Sequence, residues 1–411
     1  MTLPATPQVL IRFGTGASFG NALILGDTND GILGSNVLGT TSVKPIDVTE
    51  FCNSISVRRG RDRVTDHYNN GTATVTFIDQ TGDFDPSNES GPYFGEILPM
   101  RQLRIAATYS GTEYLLFTGF ITSWDYEYQK GFDGAFVTVQ AEDAFRVLNL
   151  TQVEEIAGSA PQDLPGTRIN ELLDEANWPS SLRQISAGEV ELLDDPWTVR
   201  AALAAMQTIE DTENGALYCD TSGKVVFKSR VDVATASVQT ATVFSDNGSD
   251  IAYQGIDFSL DDSELANDVI VEAEGGEPQQ ADDATSIETY FRRTLSRTGL
   301  MFYDDNDAYS QARRILSYRK DVKLRINSIT LDCSTDSNRV LPALTLDFND
   351  PIEVNKTNPG SVALSALLTV QGINHDIRPD SWQTTLTTAF PLTSAFVLGS
   401  TQFGILGTSS L

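Results

Sequence analysis

The sequence predicts a mainly β protein with an α+β insertion: two related, tube-like β-barrel modules flank a small helical α+β domain. Alternating apolar and polar residues dominate the first 150 positions and return near the C-terminus, whereas the middle follows a helical period. Stretches of the first β region also reappear in the last one. The predicted units are an N-terminal arm (1–44), a first β-barrel module (45–150), an α+β domain (151–235), a second β-barrel module with a helix near 307–320 (236–395) and a C-terminal arm (396–411).

The first module contains the clearest strand signals. In GTATVTFID, the apolar residues Ala73, Val75 and Phe77 alternate with threonines, which places them on one face of a strand. The stretch RQLRIAATYSGTEYLLFTGFITSW predicts a hairpin that turns at Ser110 and Gly111. A further alternating stretch, FVTVQAED, leads into a short predicted helix, DAFRVLNL.

The middle of the chain changes period. RINELLDEANW spaces its apolar residues as a helix does, and a second helix is predicted to begin at Asp195 and Pro196. ALYCDTSGKVVFKSR predicts a two-stranded hairpin. The polar, glycine-containing stretch at 273–286 predicts a mobile loop. These signals together predict a compact α+β unit followed by a loop.

The second module is predicted from three alternating stretches. They are centred on Ile329 and Leu331, on Leu344 and Leu346, and on the segment that begins at Trp382. Each stretch would present one apolar face to the core of a barrel.

An internal repeat links the two β modules. When PMRQLRIAATYSG is aligned with NDPIEVNKTNPG, Leu103 meets Ile352 and Ile105 meets Val354. Gly119 of the following strand then matches Gly372 if four extra residues intervene. Because β-hairpins share sequence features, convergence remains an alternative, but the repeat favours an internal duplication.

The two predicted arms repeat each other as well. LILGDTNDGILGSNVL and FVLGSTQFGILGTSSL align without a gap. Glycines in both segments permit tight turns, and the aliphatic residues could anchor in pockets of a neighbouring subunit. The alternative is that each arm folds back on its own barrel. The candidate assembly residues in the arms are Ile32, Leu33, Leu38, Ile405, Leu406 and Leu411.

Composition limits the classes of function. The chain has 28 basic and 56 acidic residues, a net charge of −28, so its field opposes binding to nucleic acid or to anionic lipid. No apolar run approaches the ~18–20 residues that span a bilayer, and we expect no secretion signal. The three scattered cysteines predict reduced core residues in a protein made in a cytosol.

The sequence offers little for catalysis. His67 and His375 are the only histidines, and neither belongs to a metal-binding or nucleophile motif. We therefore expect no catalytic residue, no cofactor and no metal ion. The abundance of acidic residues leaves one enzymatic alternative open, a hydrolase that uses paired carboxylates.

An arginine cluster, VRRGRDR, stands out in this acidic chain. Its members Arg58, Arg59 and Arg61 are candidates for contacts with the acidic face of a neighbouring subunit. The alternative is that they pair with carboxylates of their own chain. A second cluster, FRRTLSR, has the same two interpretations.

The order of these motifs resembles that of tailed-bacteriophage tail-tip or baseplate-hub proteins of the minor tail protein type. The resemblance runs from SVRRGRDRVTDHYNNGTATVTFID through LFTGFITSW, VTVQAEDAFRVL, GTRINELLDEANWP and ENGALYCDTSGKVVFKSR to INHDIRPDSW. It implies a homotrimer whose six barrels form a pseudo-sixfold ring beneath a tail tube. The loop at 273–286 shows little of the family pattern.

The resemblance implies a structural, non-enzymatic tail hub that is made in the bacterial host cytoplasm, connects the tail tube to the tip or baseplate of a virion and lines the DNA exit channel. Its implied partners are two further copies, the tail tube or distal tail protein and tip, fibre or spike proteins, while DNA passes without specific binding. The acidic surface would suit such a channel. The alternatives are a tail-associated cell-wall glycan hydrolase and a receptor-binding or distal-tail ring protein.

Overall fold

The computed structural model describes residues 3–13, 45–61, 67–357 and 364–391. The predicted arm residues Ile32, Leu33, Leu38, Ile405, Leu406 and Leu411 lie outside these ranges.

The first β module forms where the alternating patterns predict it. Ala73, Val75 and Phe77 point into the core and are almost fully buried. Asp143 accepts a hydrogen bond from the backbone N–H of Phe145 and thereby caps the short helix that ends the module. The elements are β1 (Thr6–Arg12), β2 (Ile46–Asp47), β3 (Cys52–Gly60), β4 (Asn69–Asp79), β5 (Gln102–Tyr109), β6 (Thr112–Glu127), β7 (Ala135–Glu142) and α1 (Ala144–Leu150).

The inserted α+β unit follows. The predicted hairpin forms, but the second helix begins at Ala202 and not at Asp195. Asp195 accepts from the backbone N–H of Trp197 and pairs with Arg200, which fixes the preceding segment as a loop. The elements are β8 (Gln152–Val153), α2 (Pro165–Glu175), β9 (Arg183–Ile185), β10 (Arg200–Ala201), α3 (Ala202–Glu213), β11 (Ala216–Cys219), β12 (Val225–Lys228) and α4 (Arg230–Ser237).

The remainder of the chain alternates between strands and helices. Its elements are β13 (Thr242–Ser245), β14 (Gly255–Ser259), β15 (Asp268–Ala273), β16 (Gln279–Asp282), α5 (Ala284–Tyr290), β17 (Thr294–Leu300), α6 (Asp305–Arg319), β18 (Arg325–Asp332), α7 (Ser337–Thr345), β19 (Pro351–Lys356), β20 (Leu364–Arg378) and β21 (Ser381–Ala389). The predicted helix near 307–320 corresponds to α6.

Two expectations for this part were wrong. The stretch 273–286 is not a loop: Gly275, at φ 70°, makes a turn that lets β16 pair with β15, and α5 follows. The alternation around Leu344 belongs to a helix, α7, which is capped by Asp336 and buries Val340 and Ala343. A short apolar stretch fits both periods, and the cap decides between them.

The chain packs around two hydrophobic cores. One core is shared by the two β modules, and the other joins the inserted unit to β15, β17 and α6. The predicted span 236–395 therefore contains two differently packed parts. Residues 266–315 contribute to the core of the inserted unit, and the flanking strands contribute to the core of the sheet.

The two β modules have the same strand order. In the first module the order is β3-β4-β7-β6-β5-β1, and in the second it is β14-β18-β21-β20-β19-β13, although β1 runs antiparallel to β5 and β13 runs parallel to β19. The modules join where β3 pairs with β20, so a single 13-stranded sheet runs through both. In each half a short connection links the two end strands: β2 leads into β3, and β13 leads into β14.

The register establishes which residues are counterparts. The backbone N–H of Met100 donates to the carbonyl of Ile121 at 2.7 Å, and that of Asn349 donates to the carbonyl of Val370 at 2.8 Å. Met100 and Asn349 also share a positive φ, 64° and 69°. These counterparts are 249 positions apart, as are Leu103 and Ile352 of the sequence alignment. Here the alignment and the register agree.

The register corrects one pair of the alignment. Each module has a bulge at this point, between Ile121 and Ser123 in β6 and between Val370 and Gly372 in β20. The counterpart of Gly372 is therefore Ser123 rather than Gly119. The four extra residues in the alignment have no structural basis.

Candidate assembly interface

The junction between the modules depends on a close backbone approach. β3 runs antiparallel to the C-terminal half of β20, with Gly60 opposite Gly372. The backbone N–H of Arg61 donates to the carbonyl of Gln371 at 3.0 Å. Gly60 has φ 111°, and a Cβ atom there would lie 2.4 Å from the Gln371 oxygen and from the Gly372 Cα. Only glycine fits this position.

Arg59 ties three parts of the chain together at this junction. Its Nη2 atom donates to the carbonyl of Cys219 in the inserted unit at 3.1 Å and to Asp347 of the second module at 3.3 Å. Its guanidinium lies 4.8 Å from the ring centroid of Phe348, a distance typical of cation–π contacts. The side chain is only 6 % exposed.

Aromatic rings fill the space beside Arg59. The Tyr68 ring centroid lies 4.9 Å from that of Phe348 and 5.4 Å from that of Tyr218. Arg61 covers the Tyr68 ring at 4.4 Å, and its Nε donates to the Gln371 side chain at 2.8 Å. Burial raises the pKa of both tyrosines, so they remain neutral.

The structure places the predicted site residues in three groups. Arg59 and Arg61 are buried and contact their own chain, and Arg59 pairs with a carboxylate, that of Asp347. Arg58 is exposed on β3. The six arm residues lie outside the described ranges.

The second arginine cluster also pairs within the chain. Arg292 forms an ion pair with Asp268 at 2.9 Å, and Arg293 pairs with Asp262. Arg297 pairs with Asp211. Its contacts in the described structure therefore match the intrachain interpretation.

His67 forms a polar link that the sequence did not predict. Its Nδ1 lies 2.9 Å from Glu210 and its Nε2 lies 3.4 Å from Asp211, both on α3. Arg297 contacts the same Asp211 at 3.3 Å. Hydrogen bonds to Asp211 and Glu210 raise the pKa of His67 to about 10. Only tertiary structure brings these groups together, so no local motif reveals them.

Replacing His67 by glutamine is expected to make stability less dependent on pH. Because the folded-state pKa is raised from 6.5 to about 10, the contribution of the charged imidazole is complete below pH 6.5 and is lost as the pH rises through 10. Since His67 is 38 % exposed, we expect a loss of about 1 kcal/mol at pH 6 and almost none above pH 10. Urea unfolding of both proteins across this range measures the difference, and a constant difference would contradict the assignment.

The carboxylate of Asp79 has a structural role. Asp79 accepts backbone N–H bonds from Thr81, Gly82, Asp83 and Phe84, which orders the acidic turn after β4. Across the described ranges, no group of three or more His, Cys, Asp or Glu residues is arranged to hold a metal ion. No helix in the part of the chain that the structure describes has both the length and the apolarity to cross a membrane.

Sequence comparisons give no relatives. No protein-family model matches the chain, and a search of curated proteins finds no match.

Structural comparison gives matches over nearly the whole chain. A tail protein from Neisseria meningitidis MC58 matches with a TM-score of 0.59 at 12 % identity, covering 94 % of this chain and 96 % of that one. The 43 kDa tail protein of prophage MuSo2 from Shewanella oneidensis matches with a TM-score of 0.53 at 12 % identity, covering 85 % and 96 %. A chain of the Francisella PdpA-VgrG complex matches with a TM-score of 0.50 at 9 % identity, covering 93 % and 52 %. The chain described here therefore has the fold of phage tail proteins.

Proposed function

We propose that this chain is a structural hub subunit of a bacteriophage tail, and that three copies form a pseudo-sixfold ring between the tail tube and the tip or baseplate. The observation that carries the proposal is the shared strand order of the two modules, with counterparts that agree in register and backbone conformation. A closed ring of three such chains presents six similar units. The fold shared with tail proteins supports the same assignment.

The ring would surround the path of the DNA. With a net charge of −28, the subunit repels a polyanion, which would allow DNA to pass without binding. The partners would be the tail tube or distal tail protein above the ring and tip, fibre or spike proteins below it. The role requires no catalysis, cofactor or metal ion.

The mass and symmetry of the assembled protein test the proposal. Light scattering of the purified full chain is expected to give about 134 kDa, three times the 44.7 kDa of one chain. Electron microscopy is expected to show threefold rings with six similar lobes. A stable hexamer, or a monomer at every salt and protein concentration tested, would contradict the trimeric ring.

A second measurement addresses the enzymatic alternative. We expect no release of soluble fragments when the assembled protein is incubated with bacterial cell-wall polymer. Measurable turnover that disappears when one acidic pair is neutralised would replace the structural role with a hydrolase.

A further inference from the structure

Two strand edges correspond to the two strands of the internal junction, β3 and β20, but pair with no strand of the described chain. Within the described residues, β14 pairs with β18 alone. Beyond the bulge, the described part of β6 pairs only with β7, from Ser123 to Glu127. β14 is the counterpart of β3, because each pairs with the corresponding strand of its own module. The end of β6, from Ser123 to Glu127, is likewise the counterpart of the part of β20 that pairs with β3.

We infer that these edges pair with each other between copies of this chain, so that β14 of one subunit adds to the end of β6 of the next. This inference rests on the proposed ring. The occupant of each edge is a second copy, because the same two strand types already pair inside the chain as β3 and β20. Each copy offers one edge of each kind, which makes the contact head-to-tail and lets three copies close.

The internal junction predicts the register between subunits. Inside the chain, Ser56 lies opposite Asp376. The counterpart of Ser56 is Asp257, and the counterpart of Asp376 is Glu127. The antiparallel contact should therefore place Asp257 of one subunit opposite Glu127 of the next.

Apolar side chains lie where the internal junction has charged or polar ones. Leu260, the counterpart of Arg59 when counted along the strands, is 67 % exposed. Leu98 and Met100, the counterparts of Asp347 and Asn349, are 47 % and 41 % exposed. The contacts of Arg59 inside the chain would thus be replaced between chains by a hydrophobic contact, which association would remove from water.

Two aromatic residues, Tyr126 of β6 and Phe258 of β14, would meet in this pairing. The Oη atom of Tyr126 is buried but has no hydrogen-bond partner among the described residues. Because that atom is already enclosed by its own chain, it does not mark the interface. The register does so: Val57 lies opposite His375 inside the chain, and their counterparts are Phe258, which is 44 % exposed, and Tyr126.

Electrostatics gives the contact a distinctive salt dependence. The pairing brings Asp257 and Glu127 together with the exposed Asp125, and like charges on opposite strands repel. Because salt screens exposed charges, trimers should form more readily at about 500 mM salt than at about 50 mM. Most contacts between oppositely charged surfaces weaken under the same change.

A charge exchange and a cysteine pair test the register. Asp257→Lys is expected to strengthen association at low salt about fivefold, and adding Glu127→Lys should cancel the gain. In the double variant Glu127→Cys and Asp257→Cys, oxidation should link chains into covalent dimers and trimers. Either single variant should give no such series. The native thiols stay protonated under mild conditions because burial raises the pKa of Cys52 to about 12 and that of Cys333 to about 11.

Leu260→Asp should abolish the trimer, whereas Leu150→Asp should not. Leu150, 60 % exposed on α1, is the matched control. Sedimentation velocity gives the fraction of trimer in each case. If trimers persist in Leu260→Asp and the cysteine pair forms no links, the strand pairing is wrong while the ring stands. If the unaltered chain forms no trimer at any salt concentration, the proposed ring fails and the inference fails with it.

Discussion

Replacing Gly60 by alanine is expected to force β3 away from β20 and to lower the free energy of unfolding by about 3 kcal/mol or more. A Cβ atom there meets backbone atoms at 2.4 Å, which no change of rotamer relieves. The backbone conformation, φ 111°, adds strain for any residue with a side chain. Urea denaturation of the purified chain measures the loss of stability. If the variant still folds, the weaker pairing should appear as faster amide hydrogen exchange in β3 and β20.

Gly111 provides the matched control. It also has a positive φ, 82°, but a Cβ atom would meet nothing within 4 Å. Gly111→Ala should therefore show the conformational strain alone, about 1 kcal/mol. Equal losses for the two variants would show that the close approach of β3 and β20 contributes little.

Replacing Arg59 by methionine is expected to lower the free energy of unfolding by about 2–4 kcal/mol. The change keeps the apolar stem but removes the ion pair with Asp347, the hydrogen bond to the Cys219 carbonyl and the contact with the Phe348 ring. The buried carbonyl would lose its donor, which costs more than the average hydrogen bond contributes. Thermal and urea unfolding, followed separately by fluorescence and circular dichroism, should also reveal weaker coupling between the modules.

Arg378→Met is the control for this variant. Arg378 ends β20, the strand that pairs with β3, but is exposed, and surface substitutions usually change stability by less than about 0.5 kcal/mol. If both variants lost the same amount, net charge rather than the buried contacts of Arg59 would explain the effect.

The strands and the repeat could be predicted because they depend on local patterns. Alternation identified β4, β18 and β21, and the aligned pairs Leu103 with Ile352 and Ile105 with Val354 agree with the structural register. The misplaced Gly119 shows the limit of the approach. Gly119 was aligned with Gly372 because both are glycines. The register instead follows from a bulge in each module, and Ser123 occupies the equivalent position in the first module.

Other features could not be predicted from local sequence patterns. The segment at 337–345 fits a strand and a helix equally well until Asp336 caps it. The polar stretch at 273–286 becomes a strand and a helix because β15 and α6 provide partners for it. The buried state of Arg59 and the His67 link depend on residues far apart in sequence. Tertiary contacts decide such cases, and local propensity does not.

The backbone ladder that crosses from β3 to β20 has a mechanical consequence. A flexible linker would allow each half of the subunit to tilt by itself, but an uninterrupted sheet transmits a pull or a twist from one half to the other. Within one chain there is consequently no soft hinge at this point. In the proposed ring, widening would then have to occur between subunits, where the inferred pairing brings Asp257 and Glu127 together.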